Sequence, residues 1–316
     1  MRVAIVGAGL SGLVAGRRLV DAGVDVTLVD KGRAPGGRLA TRRIGDATLD
    51  HGAQFFTVRT PAFQRQVDDW IGRGLVSIWS HGFVSDDGHA RYVAVNGMNS
   101  LAKDLAVGLD VRCSTMAFAI RPADTGDAAP TWQVVIDDAS TVDSDAVIVT
   151  TPLPQAFSLL VDSGIDLDEA LIRTDYDRTI ALLATLDGAP AIPAPGGVQT
   201  PNPDVAFVAD NHAKGVSAAP AITLHASASW SEEHWDDDLD DLRALLLELS
   251  SSWIGDASIV EAQVKKWRFA TPRSPWPDPC WVAPGGTIVL AGDAFDGPRV
   301  EAAHNSGLAA AHALVG

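Results

Sequence analysis

The chain has 316 residues, 47% of them hydrophobic and 20% charged, a globular composition that excludes extended disorder. Lys and Arg number 24 against 40 Asp and Glu, a net charge of −16, so nucleic acid and anionic membrane surfaces, which need a basic footprint, are not expected partners. No apolar run reaches the roughly 18–20 residues of a membrane span, and Val3 to Val6 is too short for a signal-peptide core, so the expected compartment is the cytoplasm.

In chain order, Val3 to Val6 reads as a buried parallel strand. The glycine-rich turn Gly7 to Gly12 follows, then a helix ending at Gly23, a C′ glycine, and a second strand over Val24 to Asp30. Pro61 to Gly74 is expected to be a helix, with short Trp- and Val-bearing strands after it. Gly97-Met98-Asn99-Ser100 leads into a helix through Val107. Strands are expected at about 110–120 and 132–137, around a turn from Pro122 to Pro130, and again over Asp145 to Thr150. The Pro- and Gly-rich segment 187–203 reads as a surface loop.

Ser231 to Leu249 reads as one amphipathic helix, since Trp235, Leu239, Leu242, Leu246 and Leu249 recur at steps of three and four. Ser231 is its expected N-cap, and the acids at 232–238 read as a solvated face near the positive end of the dipole. Thr287 to Ala291 is a late strand, and Pro298 is expected to begin a last helix through His312.

Three segments carry chemistry. Gly7-x-Gly9-x-x-Gly12 sits between a strand and a helix, where glycines allow a tight turn, close approach to a pyrophosphate and close helix packing. Asp30, 18 residues after Gly12, closes the next strand and can accept hydrogen bonds from a ribose. Arg33-Ala34-Pro35-Gly36-Gly37-Arg38 then offers a glycine pair with a guanidinium for the same pyrophosphate. At the far end Gly292-Asp293 closes a strand, and Arg299 and Val300 begin the last helix. An Asp there suits a ribityl chain, and a helix N-terminus suits the end of an isoalloxazine that becomes negative on reduction. Together the three favour FAD over NAD, and no second GxGxxG follows a strand.

The 8 histidines show no HExxH, and Cys113 and Cys280 form no CxxC pair, so no metal is expected. No GxSxG follows a strand, which leaves a serine nucleophile without support.

The chain resembles the renalase family of FAD-dependent oxidoreductases, near the flavin amine oxidases. The similarity runs from end to end through VAIVGAGLSGL (3–13), DKGRAPGGRLAT (30–41), LDHGAQFFT (49–57), YVAVNGMNSL (92–101), VIVTTPLPQ (147–155), LHASASW (224–230), KKWRFA (265–270) and LAGDAFDGPRVEAAHNSGL (290–308). Ala302 and Ala294 depart from the family pattern.

The resemblance implies an α/β fold: a discontinuous Rossmann-like FAD-binding domain (1–57, 93–156 and 270–316) with an inserted α+β substrate domain (58–92 and 157–269) of the flavin amine oxidase or p-hydroxybenzoate hydroxylase type. It implies noncovalent FAD touching Gly7, Gly9, Ser11, Gly12, Asp30, Lys31, Gly37, Arg38, Gly52, Ala53, Gln54, Phe55, Met116, Asp293, Arg299 and Val300. Cys280 has no resembling context for a covalent anchor.

The implied activity is oxidation of the 2- and 6-dihydro isomers of NAD(P)H, with O2 taking the electrons and forming hydrogen peroxide. Hydride transfer from a dihydropyridine to flavin N5 is driven by aromatisation, so a stacking pocket is expected and no acid–base dyad. Its candidate walls are Phe55, Phe56, His225, Trp230, Trp267 and Phe269, each of which also suits core packing. Lys266 and Arg268 could meet a substrate phosphate or face solvent. The alternative is a flavin-containing amine oxidase or desaturase acting on a small amine or apolar substrate. That reading calls for an aromatic cage and often a lysine near N5, for which Lys265 and Lys266 are candidates, whereas only 2 Tyr weaken the cage.

Overall fold

In the computed structural model, which describes residues 1–83, 85, 87–124 and 131–316, the opening apolar run is β1 (Arg2–Val6). α1 (Leu10–Asp21) follows and ends as a Schellman motif: Gly23 at φ +79° donates to Val20 O and Val24 to Leu19 O. Then come β2 (Asp25–Val29), a hairpin of β3 (Thr41–Ile44) and β4 (Ala47–Asp50), and α2 (Pro61–Gly72), whose N-cap Thr60 accepts from Phe63 N. β5 (Val76–Ser80) pairs with β6 (Arg91–Ala94), and α3 (Asn99–Ala106) leads on.

The strand expected at 110–120 is two strands, β7 (Asp110–Arg112) and β8 (Ala117–Pro122), in different sheets. Ser114 at φ +52° turns the chain between them, with Ser114 N bonded to Gly32 O and Thr115 N to Asp30 O. Residues 125–130 of the expected turn lie outside the described residues. β9 (Trp132–Ile136), β10 (Thr141–Ser144), β11 (Ala146–Val149), α4 (Leu153–Leu160) and α5 (Glu169–Ile172) follow.

The long β12 (Tyr176–Leu186) precedes β13 (Gly197–Asn202), which corrects the loop expected over 187–203. β13 is an edge strand, where Pro201 is tolerated and a bulge with Thr200 at φ +46° breaks the ladder. β14 (Val205–Asp210) and β15 (Ala221–Ala226) come next.

The single helix expected over 231–249 is two, α6 (Ala228–Glu233) and α7 (Leu239–Ile254). Asp238 breaks it by capping α7, its side chain accepting from Asp240 N at 2.8 Å. Ser231 is no cap: it is buried, and its Oγ accepts from Ile180 N at 2.9 Å. β16 (Ile259–Pro272), β17 (Trp281–Val282), β18 (Ile288–Leu290) and α8 (Val300–Val315) complete the chain. α8 starts two residues past Pro298, with Arg299 as its N-cap.

The chain divides into two compact units. The first (1–37, 101–175, 272–316) holds a six-stranded sheet in the order β17-β18-β11-β1-β2-β7, parallel except for β17, and a three-stranded antiparallel sheet, β10-β9-β8. α1 packs against α8 so closely that a Cβ on Gly307 would lie 2.3 Å from Ser11 O.

The second (38–100, 176–271) is built on the five-stranded sheet β13-β14-β15-β12-β16. Alternation splits its faces: Ile222, Leu224 and Ala226 pack with Leu182, Leu242 and Leu246 under α7, while Ala221 meets Ile44, Ala47 and Leu49 of the β3–β4 hairpin on the other. Residues 38–57 and 93–100 thus pack with the inserted part, and 157–175 with the first unit, unlike the division drawn from sequence.

Candidate functional site

In the first unit, parallel pairing puts the carboxyl ends of β2, β1, β11 and β18 on one edge, running out at Asp30, Gly7, Thr150 and Ala291. The chain goes from β1 to one side (β2) and later returns on the other (β11), a topological switch point where α/β sheets hold ligands.

The three glycines divide the work there. A Cβ on Gly12 would lie 2.0 Å from Gly7 O, so the helix can start only with glycine. A Cβ on Gly9 would meet nothing within 4 Å, so this is the open side. Gly9 caps α1 without a side-chain hydrogen bond, and Ser11 Oγ and Thr151 Oγ1 beside the same edge are buried with no partner. Unpartnered donors at a helix start and a missing side chain form a cradle for phosphate oxygens.

Asp30 is already ordered: Oδ2 accepts from Ala8 N and Oδ1 from Gly32 N, both at 2.6 Å, and each oxygen keeps a lone pair for a hydroxyl. Gly36 N donates to Ala8 O at 2.9 Å, which brings the Gly36-Gly37 pair against Gly9. A groove lined by Ser114, Thr115 and Asp137 adjoins Met116, whose carbonyl accepts from Asp137 N at 3.0 Å. Lys31 is exposed, its Nζ 3.4 Å from Gln155 Oε1. Asp293 follows Gly292, whose N–H donates to Ser306 Oγ of α8 at 2.8 Å. Arg299 folds back on Asp296 O at 2.8 Å, and Val300 opens α8.

In the second unit, the turn after β4 is held from all sides. His51 N and Ala53 N donate to Ala40 O and Arg38 O, and a Cβ on Gly52 would lie 2.0 Å from Arg38 O. The Asp50 carbonyl accepts from Gln54 Nε2 at 2.7 Å and Thr223 Oγ1 at 2.9 Å. The His51 carbonyl faces Trp267 Nε1 at 2.8 Å and His225 Nε2 at 3.1 Å. A carbonyl only accepts, so His225 carries its proton on Nε2. The His51 ring stacks on Trp267 with centroids 5.3 Å apart. Burial, and then the Lys265 charge, pushes the His51 ring down to about 4; burial pushes His225 down to about 4 as well.

Below the turn, the Asp50 carboxylate takes Lys214 Nζ at 2.8 Å, Met98 N at 2.8 Å and Thr41 Oγ1 at 2.6 Å. Phe55 lies edge-on to Trp79 and Phe83 and tilted against Phe207. Arg38 directs Nη1 at the carbonyls of Phe269 (3.4 Å) and Ala270 (3.2 Å), at the end of β16.

The structure thus gathers Gln54, His225 and Trp267 around His51, with Phe55 next in the chain. It places Phe56 in the α2 core, stacked on Tyr92 and 3% exposed. Trp230 packs on the α7 face of the sheet and against His234, and Phe269 meets Tyr176 edge-on. Lys266 Nζ donates to Trp235 O at 2.5 Å and Asp237 O at 3.2 Å, so it braces the α6–α7 link. Sequence reasoning missed His51, Asp50, Lys214 and Thr151. Asp50 and His51 stand inside the LDHGAQFFT segment, and Thr151 follows a buried strand at its carboxyl end; no pattern marks Lys214. Among the described residues no group of histidines, cysteines and acids could hold a metal, and no helix is long and apolar enough to cross a membrane.

Residues 5–70 match the model of the NAD(P)-binding Rossmann-like domain, and residues 72–315 that of flavin containing amine oxidoreductases. Renalase from Mus musculus is 24% identical over 295 residues, 85% of this chain and 84% of that protein. Hydroxyneurosporene desaturase from Rubrivivax gelatinosus is 45% identical over 58 residues, 18% of this chain and only 11% of that protein. Among solved structures, a protein from Exiguobacterium sp. 255-15 described as a "putative protoporphyrinogen oxidase" superposes with a TM-score of 0.72 at 14% identity, covering 98% of both chains. A putrescine oxidase bound to putrescine gives 0.69 at 16%, covering 100% of this chain and 99% of the other. The open Gly9, the unpartnered Ser11 and Thr151 hydroxyls and the poised Asp30 fit the FAD that these similarities imply.

Proposed function

Because the chain belongs to the flavin containing amine oxidoreductases and is an FAD-dependent oxidoreductase, we propose that it oxidises the 2- and 6-dihydro isomers of NAD(P)H to NAD(P)+. Noncovalent FAD, when bound, would supply the hydride acceptor at N5, with O2 as the final acceptor and hydrogen peroxide as its product.

In this reading Gly7, Gly9, Ser11 and Gly12 take the pyrophosphate with Gly37 and Arg38, and Asp30 takes the adenosine ribose. Lys31 lies beside them, and the groove at Met116 takes the adenine. Asp293, Arg299 and Val300 are assigned to the ribityl and pyrimidine end, and Gly52, Ala53, Gln54 and Phe55 to the flavin ring.

One observation carries the choice of substrate: the side chains of the turn carry no free charge of their own. His51 and His225 are held neutral, the neighbouring Asp50 carboxylate is filled by three donors, and Trp267 and Phe55 add aromatic surface. A neutral dihydropyridine needs orientation rather than a counter-charge, which suits these rings. A protonated amine would find no open carboxylate here, since Asp50 is already filled. Oxidation of a small amine, or desaturation, is the second reading; the family carries it, and Lys265, on the His51 side of β16, favours it.

Anaerobic mixing of the oxidised holoenzyme with each dihydronicotinamide isomer and with a panel of amines decides between them. Rapid loss of flavin absorbance with the 2- or 6-dihydro isomers alone is expected. Bleaching by amines alone would overturn the proposal.

A further inference from the structure

Gln54 is 7% exposed and lies at the centre of the His51 turn. Its amide orientation is set by its neighbours. The two Nε2 hydrogens point at the Asp50 and Gly52 carbonyls, at 2.7 and 3.2 Å, and neither acceptor tolerates an oxygen in that place. The other end is therefore Oε1, and it is buried with no hydrogen-bond partner. In the same turn His51 Nδ1 is likewise buried without a partner.

Folded proteins rarely leave a buried amide oxygen unpaired, and those that do usually reserve it. The two carbonyls beside it are filled: those of Asp50 and His51 each face two donors, which leaves Gln54 Oε1 and His51 Nδ1 as the open acceptors of the turn. The amide oxygen is therefore a buried acceptor held in a fixed orientation, with the His225 ring 3.5 Å from the Nε2 end of the same amide. Its complement is a neutral N–H donor on a planar ring. An ammonium would strand a charge there, and a carboxylate would set acceptor against acceptor.

We propose that Gln54 Oε1 is a specificity-determining acceptor for the primary carboxamide of the substrate ring. The assignment rests on the dihydronicotinamide reading above and goes beyond it by naming the atom that reads the amide. It also moves Gln54 from the cofactor to the substrate.

The test pairs a change in the protein with a change in the ligand, using holoenzyme throughout. Binding of NAD+ and of its 3-acetylpyridine analogue, which lacks the amide N–H, is followed by perturbation of the flavin spectrum. Bleaching by the dihydro isomers of each is followed anaerobically. Wild type is expected to bind the carboxamide about 10-fold more tightly, the worth of one buried hydrogen bond. In Gln54→Met the preference should fall to within about twofold, also an effect of losing that bond. General damage to the turn weakens both ligands equally and leaves the ratio unchanged, which overturns the proposal. So does a wild type with no preference, or a variant that loses FAD affinity while keeping the preference. Dihydro isomers that bleach the flavin without discrimination remove Gln54's role and leave the function standing. If no dihydro isomer bleaches the flavin, the functional reading fails, and the spectral titration still decides the subsite.

Discussion

Lys214 donates its Nζ to Asp50 Oδ2 at 2.8 Å with neither side chain exposed to solvent. Burial lowers the affinity of that amine for its proton and Asp50 opposes the shift, so the pair is held by mutual need. Asp50 is also the residue from which the His51–Gln54 turn departs, and the pair fixes the origin of the candidate site.

Lys214→Met is expected to cost about 3–5 kcal/mol in urea unfolding, because it strands a buried carboxylate. Adding Asp50→Asn should recover part of that loss. A single variant as stable as wild type would show that Asp50 needs no counter-charge.

Stability should also depend on pH through the two half-buried imidazoles. Both take up their protons in the folded chain near pH 4, well below the ordinary 6.5. The unfolded chain then binds more protons between those values, so folding is favoured above pH 6.5 and loses ground as pH falls toward 4. Each ring contributes a slope of up to about 1.4 kcal/mol per pH unit. Urea midpoints measured across this window should vary less steeply in His225→Gln, and an unchanged slope would refute the shifted histidine.

The glycines of the first turn make separable predictions. Gly9→Ala faces open space at an ordinary φ of −75° and should fold with an unchanged melting temperature, yet bind FAD at least about 10-fold more weakly, equivalent to ~1.4 kcal/mol. Gly12→Ala puts a methyl 2.0 Å from Gly7 O and should lose stability as well. Flavin titration alongside thermal melts separates them; equal FAD affinity in Gly9→Ala and wild type would place the phosphates elsewhere.

Arg38→Ala removes the guanidinium from the Phe269 and Ala270 carbonyls and, in the proposed reading, from the pyrophosphate. Faster release of FAD on dilution is expected. Retention equal to wild type would confine Arg38 to bracing β16.

Much of the first unit was legible in the chain itself. The opening strand, fingerprint and second strand are contiguous, so their geometry follows from short-range sterics, and Gly12 and Gly23 are needed within a few residues of where they stand. The family, the cofactor and the residues along the parallel sheet's edge could be read from such local patterns. Elsewhere local pattern misled. The period of Trp235 to Leu249 continues through a break that Asp238 makes by capping, and the run at 110–120 hides a turn at Ser114 tied to Gly32. The second site was beyond reach for a different reason. Asp50 and Lys214 are 164 residues apart, and His225 and Trp267 reach His51 from two other strands. Only the pairing of the five-stranded sheet decides which side chains share a face, and burial on that face is what makes two ordinary histidines neutral.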